Sequence, residues 1–226
     1  MRSNRLTRRR LVLPMGLCAA LCGLCAASRA DEAPKWFIRG GPAYANFDAS
    51  AHVQVAGGEV PGGDVSVHYN TGAAVEAGYV LSLRWQVTLA LGVPPRARIF
   101  GAGTLAQAGK LGELNYAPAV LGLLYTPAVE GALHPYIGGG INYTWIYHRR
   151  DGALQKLRVD NAAGPALQFG AEYALSPRTA WFFDVKKIWL KTDASGLISS
   201  PGGPLPASAR VTLDPLILST GISFHF

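Results

Sequence analysis

The sequence predicts an all-β protein, an eight-stranded antiparallel up-and-down transmembrane β-barrel. Three observations carry that expectation. Stretches of period-two alternation run longer than the strands of ordinary soluble sheets. The connectors between them alternate between short and long. A basic and then apolar leader precedes them, in a chain of 226 residues with 27 Gly and only 15% charged residues. Successive side chains of a strand point to opposite faces, so such alternation gives each strand one apolar face and one small or polar face.

The leader comes first. Residues 1–30 hold Arg2, Arg5, Arg8, Arg9, Arg10 and Arg29 and no acidic residue. Residues 11–27 are uncharged and apolar, and Ser28-Arg29-Ala30 places small residues at −3 and −1 before Asp31. A basic start, an apolar run and a small-x-small end read as a secretory signal peptide that is cleaved, leaving 31–226 as the barrel. The apolar run is at the short end for a spanning helix. Six of the 21 basic residues fall in this leader and none of the 14 acidic ones, so its removal takes the formal charge from +7 to +1. A nucleic-acid partner then loses its electrostatic support. Cys18, Cys22 and Cys25 depart as well, which excludes a disulfide framework and any thiolate metal site. His52, His68, His134, His148 and His225 are too dispersed to suggest a metal, and no cofactor is expected.

The strands follow in order. Residues 36–47 open the series. In 65–79, Val65, Val67, Tyr69, Val75 and Tyr79 share a face opposite Ser66, His68, Asn70 and Glu76. In 84–93, Trp85, Val87, Leu89, Leu91 and Val93 oppose Arg84, Gln86 and Thr88. Residues 114–125 form the fourth strand. In 136–147, Ile137, Ile141, Tyr143, Trp145 and Tyr147 oppose Gly138, Gly140, Asn142 and Thr144. In 165–174, Leu167, Phe169 and Tyr173 oppose Gln168 and Glu172. Residues 181–191 and 210–226 complete eight. Residues 80–83 and 175–179 are tight connectors and 126–134 a middling one; 48–64, 94–113, 148–161 and 192–209 are longer, polar or rich in Gly and Pro.

A closed antiparallel sheet is either a soluble barrel with an apolar interior or a membrane barrel with an apolar exterior. A soluble barrel packs large apolar residues inside and places charge outside. Here the polar faces are rich in Gly, Ala, Asn and Gln, which suits a narrow lumen. The apolar faces carry Trp36, Tyr79, Trp85, Trp145, Tyr147, Tyr173, Trp181 and Trp189 near strand ends, as interfacial girdles require. The predicted lumen residues are His68, Asn70, Glu76, Arg84, Gln86, Asn142, Gln168, Glu172, Asp184 and Lys186. At the C-terminus Leu218, Ile222, Phe224 and the terminal Phe226 alternate with polar or small residues, similar to the signal read by the outer-membrane barrel assembly machinery.

These residues resemble the OmpW family of Gram-negative outer-membrane proteins. Trp36-Phe37-Ile38-Arg39-Gly40-Gly41 looks like its opening strand. His134-Pro135-Tyr136-Ile137-Gly138-Gly139-Gly140-Ile141-Asn142-Tyr143-Thr144 is close to the family's R-P-Y-x-G-x-G-x-N-Y-T, with His134 in place of the basic residue. Ala117-Pro118-Ala119-Val120, Asp184-Val185-Lys186-Lys187 and Val211-Thr212-Leu213-Asp214-Pro215 also fit.

The resemblance implies a channel in the cell outer membrane through which small hydrophobic molecules enter. Eight strands leave room for side chains or one small ligand, so sideways release into the membrane is expected rather than an open pore. Pro94 and Pro95 cannot donate ladder hydrogen bonds and are candidates for that lateral gate, or they simply start the second long loop. The lumen charges either form an internal ion-pair network that closes one end or contact a solute. Lys187 falls on the lipid-facing parity, which calls for a bulge or an interfacial position. Arg149, Arg150, Lys156 and Arg158 either contact lipopolysaccharide phosphates or are solvated. The alternatives to a channel are a plugged structural or adhesive barrel, and a lipid-modifying enzyme. For the enzyme, Ser66 and His68 share a strand face without a well-placed acid, so no catalytic residue is assigned.

Overall fold

An alternating strand with one lipid-facing side must satisfy its backbone without water, and closure is the solution that leaves no edge. The computed structural model describes residues 34–93, 96–128 and 130–226; the predicted leader and the prolines at 94 and 95 lie outside them. The strands in chain order are β1 (Trp36–Asn46), β2 (Ser50–Val55), β3 (Gly58–Glu59), β4 (Gly63–Val67), β5 (Asn70–Val80), β6 (Trp85–Val93), β7 (Ala97–Gly103) and β8 (Lys110–Tyr125). They continue as β9 (Leu133–Asp151), β10 (Leu154–Val159), β11 (Ala162–Ser176), β12 (Thr179–Ile188), β13 (Lys191–Ile198), β14 (Leu205–Thr212) and β15 (Leu216–His225). Eight of them, β1, β5, β6, β8, β9, β11, β12 and β15, pair antiparallel in that cyclic order, and β15 closes on β1. No helix among the described residues is long and apolar enough to cross a membrane; the crossing elements are strands.

The barrel is apolar outside and polar inside. Ile141 is 68% exposed while the adjacent Asn142 is fully buried, which no soluble core would tolerate. Rings gather at both ends of the outer surface. Trp36 lies 4.7 Å from Tyr79 and Trp85 5.1 Å from Tyr125 at the turn end, and Tyr143 lies 4.7 Å from Trp145 at the loop end. The distance between these bands is the apolar belt.

Three expectations about elements change. The four long connectors are not irregular loops. β10, β13, β14, β2 and β3 form a second, five-stranded sheet standing on the loop end. Its inner face, with Val53, Ala194, Leu157 and Val159, is partly or fully buried, while its outer face carries His52, Gln54, Asp193 and Arg210. The predicted strand 65–79 is two strands, β4 and β5, broken at His68 and Tyr69, because β4 leaves the barrel wall to pair with β7. The predicted strand 210–226 breaks at 213–215, and 181–191 stops at Ile188. There the backbone turns a corner. Asp214 has φ +30°, its carboxylate accepts from the Leu190 amide at 2.9 Å, and the Leu213 amide donates to the Leu190 carbonyl. Proline at 215 removes one ladder donor at the same point.

Candidate functional site

Inside the turn-end half of the barrel the lumen is closed by charge. Arg39 on β1 stands beside Glu76 on β5 in cross-strand register, with Nη2 2.6 Å from Oε1. Its Nη1 lies 3.4 Å from Glu172 Oε1 and its Nη2 3.9 Å from Asp184 Oδ2. Lys186 Nζ bridges Glu76 and Asp184 at 2.7 Å each. Gln168 Nε2 donates to Asp184 at 2.6 Å, and the Tyr136 hydroxyl donates to the same carboxylate at 2.9 Å. His225 Nε2 lies 3.1 Å from Glu172 Oε2 and 3.2 Å from Ser223 Oγ. The guanidinium sits 4.4 Å from the centroid of the Tyr136 ring, with Phe37 and Phe182 further out at 5.5 Å. Buried charges are tolerable only when paired and fully hydrogen-bonded, and among the described residues no buried side-chain polar atom lacks a partner.

Two glycines make room for this plug. A Cβ on Gly78 would enter the Phe37 ring, and one on Gly170 would lie 2.6 Å from the Tyr136 hydroxyl oxygen. The small residues of the lumen face therefore set the depth to which the rings can sink.

Above the plug lies a cavity of about 220 Å³. Arg39, Glu76 and Lys186 form its floor, Val120, Ile188 and Ile217 belong to its walls, and Leu157, Val159 and Ile198 reach it from the loop end. The plug and the cavity are thus stacked, polar below and apolar above.

On one side of the cavity β8 pairs first with β6 and then with β7. Among the described residues, the β6–β8 pairs run to Leu91↔Ala119 and the β7–β8 pairs begin at Ala97↔Leu114. From the first of these pairs to the second the register shifts by one residue, six positions along the β6–β7 side against five along β8. The β4–β7 and β5–β6 pairings share one register. Pro118 has no N–H to give, and its ring faces Gly92, where a Cβ would lie 2.9 Å from Pro118 Cγ. The cavity reaches Ala73, Leu91 and Val93 here, although these three side chains point outward and are exposed.

The predicted lumen residues distribute as follows. Glu76, Gln168, Asp184 and Lys186 are buried in the plug, and Glu172 is half-buried at its edge. Asn142 is fully buried, donating to the Ala119 carbonyl and accepting from Thr144. Gln86 lies half-buried near the turn end, 3.4 Å from Thr126 Oγ1. Asn70 is buried at the cavity beside Tyr116. Two positions need correction. His68 is exposed between β4 and β5, with its ring 4.6 Å from Phe100, because the strand breaks there. Arg84 is exposed in the β5–β6 turn, one residue before pairing begins. Lys187 reaches the Asp214 carbonyl at 2.6 Å, at the loop-end corner rather than at mid-depth. Arg149 donates to the Val159 carbonyl, while Arg150, Lys156 and Arg158 remain exposed. Ile222, Phe224 and Phe226 face outward and exposed, with Leu218 half-buried on the same face.

Arg39 was missed as a lumen residue, while Tyr136 and His225 stand on the lumen parity of their strands without being singled out. Parity along 36–47 would have found the first, since Phe37 and Arg39 alternate with Trp36 and Ile38. Which carboxylates it meets depends on strand order around the barrel, and alternation carries no such information.

Comparison with known proteins places this architecture. Residues 32–226 match the family model described as the OmpW family. The dibenzothiophene metabolism operon protein PahQ of Pseudomonas aeruginosa is 41% identical over 214 residues, covering 93% of this chain and 98% of PahQ. Outer membrane protein AlkL of Ectopseudomonas oleovorans is 34% identical over 174 residues, covering 77% of this chain and 74% of its own. The crystal structure of the outer membrane protein OprG from Pseudomonas aeruginosa superposes with a TM-score of 0.78 at 25% identity, covering 86% of this chain and 97% of that one.

Proposed function

The chain belongs to the OmpW family of outer-membrane proteins, and from that premise we propose that it admits small hydrophobic molecules from outside and releases them sideways into the membrane. The observation that carries this reading is the cavity itself. It is floored by a buried ion-pair network and is lined on one side by Ala73, Leu91 and Val93, whose side chains face outward. A hydrophobic solute meets apolar walls on entry, a prohibitive charged floor below, and lipid beside it. Desolvating a path through the plug would require separating buried charges, whereas the side route exchanges one apolar environment for another.

The name of PahQ refers to a dibenzothiophene metabolism operon, which makes condensed aromatic solutes the first to try. The purified barrel in liposomes is expected to accelerate uptake of dibenzothiophene and linear alkanes over protein-free vesicles. Ala73→Trp, on the outward-facing side of the lining, is expected to slow that uptake while leaving folding intact. Unchanged uptake in that variant would refute lateral release. A lipid A modification assay on the same samples addresses the enzyme alternative, and no turnover is expected. In support, His68 packs against Phe100 and the described residues place no acid beside it.

Two partner assignments belong to the same proposal. The outward Leu218, Ile222, Phe224 and Phe226 present the face that the barrel assembly machinery reads. Arg150, Lys156 and Arg158 are free to meet lipopolysaccharide phosphates, and Arg is suited to that contact.

A further inference from the structure

We propose that Asn70 and Tyr116 form a polar anchor in the wall of the cavity, and that the solutes it holds best are neutral hydrocarbons carrying one hydroxyl group. This rests on the hydrophobic-solute reading of the same cavity and narrows the class of solute.

The surroundings of the two residues are the first ground. Both stand on the lumen parity of their strands, Asn70 with Glu76 on β5 and Tyr116 with Val120 on β8, and both line the cavity. Asn70 is buried. Tyr116 packs against the buried cluster of Leu114, Ile146 and Leu157, and Phe47 meets its ring edge-on, centroids 6.1 Å apart. In such apolar surroundings a hydrogen bond is electrostatically stronger than in water, and an unmet polar atom is costly.

The hydrogen bonds already spent are the second ground. At the floor Arg39 holds Glu76 at 2.6 Å, and Lys186 holds Glu76 and Asp184 at 2.7 Å each. In the walls the Thr144 hydroxyl donates to Asn142 and that of Thr192 to the Asp160 carbonyl. A solute that bound to the floor would have to displace charge-assisted bonds, which are the strong ones. Asn70 and Tyr116 are bonded only to each other, Asn70 Nδ2 donating to the Tyr116 hydroxyl oxygen at 3.2 Å. A phenol that accepts a bond keeps its own proton to give, and the amide keeps its carbonyl oxygen. Among the described residues the pair makes no further side-chain hydrogen bond. One donor and one acceptor therefore stand side by side on an apolar wall, the pattern by which a few polar groups orient a ligand in an apolar pocket. A hydroxyl gives one proton and accepts another, so it matches both. An ionised carboxylate can only accept, and it sets its charge against the Asn70 carbonyl oxygen.

The test is competition in vesicles. Dibenzothiophene uptake through the barrel is inhibited with naphthalene and with 2-naphthol, which share one ring system and differ by a hydroxyl. The half-inhibiting concentration of each is compared between barrel variants, so partition into the lipid cancels. Asn70→Leu with Tyr116→Phe replaces both polar groups by apolar ones of similar volume, and heat-modifiable gel mobility verifies the fold. This double variant is expected to lose 2-naphthol affinity about fivefold to a hundredfold, the change that two net neutral hydrogen bonds control, with naphthalene within about twofold of wild type. Tyr116→Phe alone keeps the amide and is expected to lose about two- to tenfold, one such bond. No loss in either variant, or no competition by 2-naphthol in wild type, overturns the anchor and leaves hydrophobic uptake standing. An equal loss for both competitors also overturns it, since it would report altered packing. A wild-type barrel no faster than protein-free vesicles overturns the anchor together with the function it serves.

Discussion

Arg39 faces carboxylates from three strands, Glu76, Glu172 and Asp184, and it is 2% exposed. Removing one member of a buried ionic cluster leaves the others uncompensated, which typically costs about 3–5 kcal/mol. Arg39→Ala is therefore expected to lower the unfolding midpoint strongly in urea titrations of the detergent-solubilised barrel. The effect should exceed that of Ser223→Ala on the same β1–β15 register. Asp214 is a second residue whose side chain holds backbone together. Its carboxylate satisfies the Leu190 amide, and its carbonyl takes the Lys187 ammonium. Asp214→Ala is expected to cost about 1 kcal/mol, in the range of a lost cap, and to speed amide exchange at Leu190 selectively. Both residues stand in motifs visible in the sequence. Their partners were not visible, because Arg39 and Glu172 are 133 positions apart and only barrel closure brings them together.

At the scale of elements, alternation over ten or more residues gave the eight wall strands, and nothing of that length exists in the connectors. β2 has six residues and β10 has six, each flanked by glycine or a bulge, so their alternation is too short to stand out from polar composition. Strand breaks were hidden for a different reason: the parity of 65–79 runs through His68 without a fault, while pairing changes there from β6 to β7. The β9–β10 hairpin carries a pH signature. Backbone amides of Leu157 and then Lys156 donate to the Asp151 carboxylate at 2.9 and 2.8 Å and hold its pKa below the ordinary aspartate value. A depressed carboxylate contributes order that is present above its unfolded pKa, near 3.9, and lost as pH falls through the lower folded value. The amide resonances of Lys156 and Leu157 are expected to titrate together with a midpoint below 3.9, and Asp151→Asn should abolish that titration. A midpoint at the ordinary value would refute the assignment.

For the whole molecule, the arrangement in depth decides the route. A barrel of eight strands is too narrow for an aqueous path beside its side chains, and this one stacks a charged plug under an apolar cavity with a register shift in one wall. If solutes travelled down the axis, the plug would be their barrier, and weakening it would speed them. If they leave sideways, the plug only defines the floor. Glu76→Gln with Lys186→Met removes one buried anion and one buried cation together with their three ion pairs (Glu76–Lys186, Arg39–Glu76 and Lys186–Asp184), keeps the net charge, and leaves Arg39 facing Asp184 and Glu172. Replacing a buried pair by neutral groups of similar volume is usually tolerated, so this double variant should fold. Its uptake of hydrophobic probes is expected to stay within about twofold of wild type, a difference of under 0.5 kcal/mol in barrier height. A tenfold rise would mean that the axial route carries the traffic and would refute sideways release.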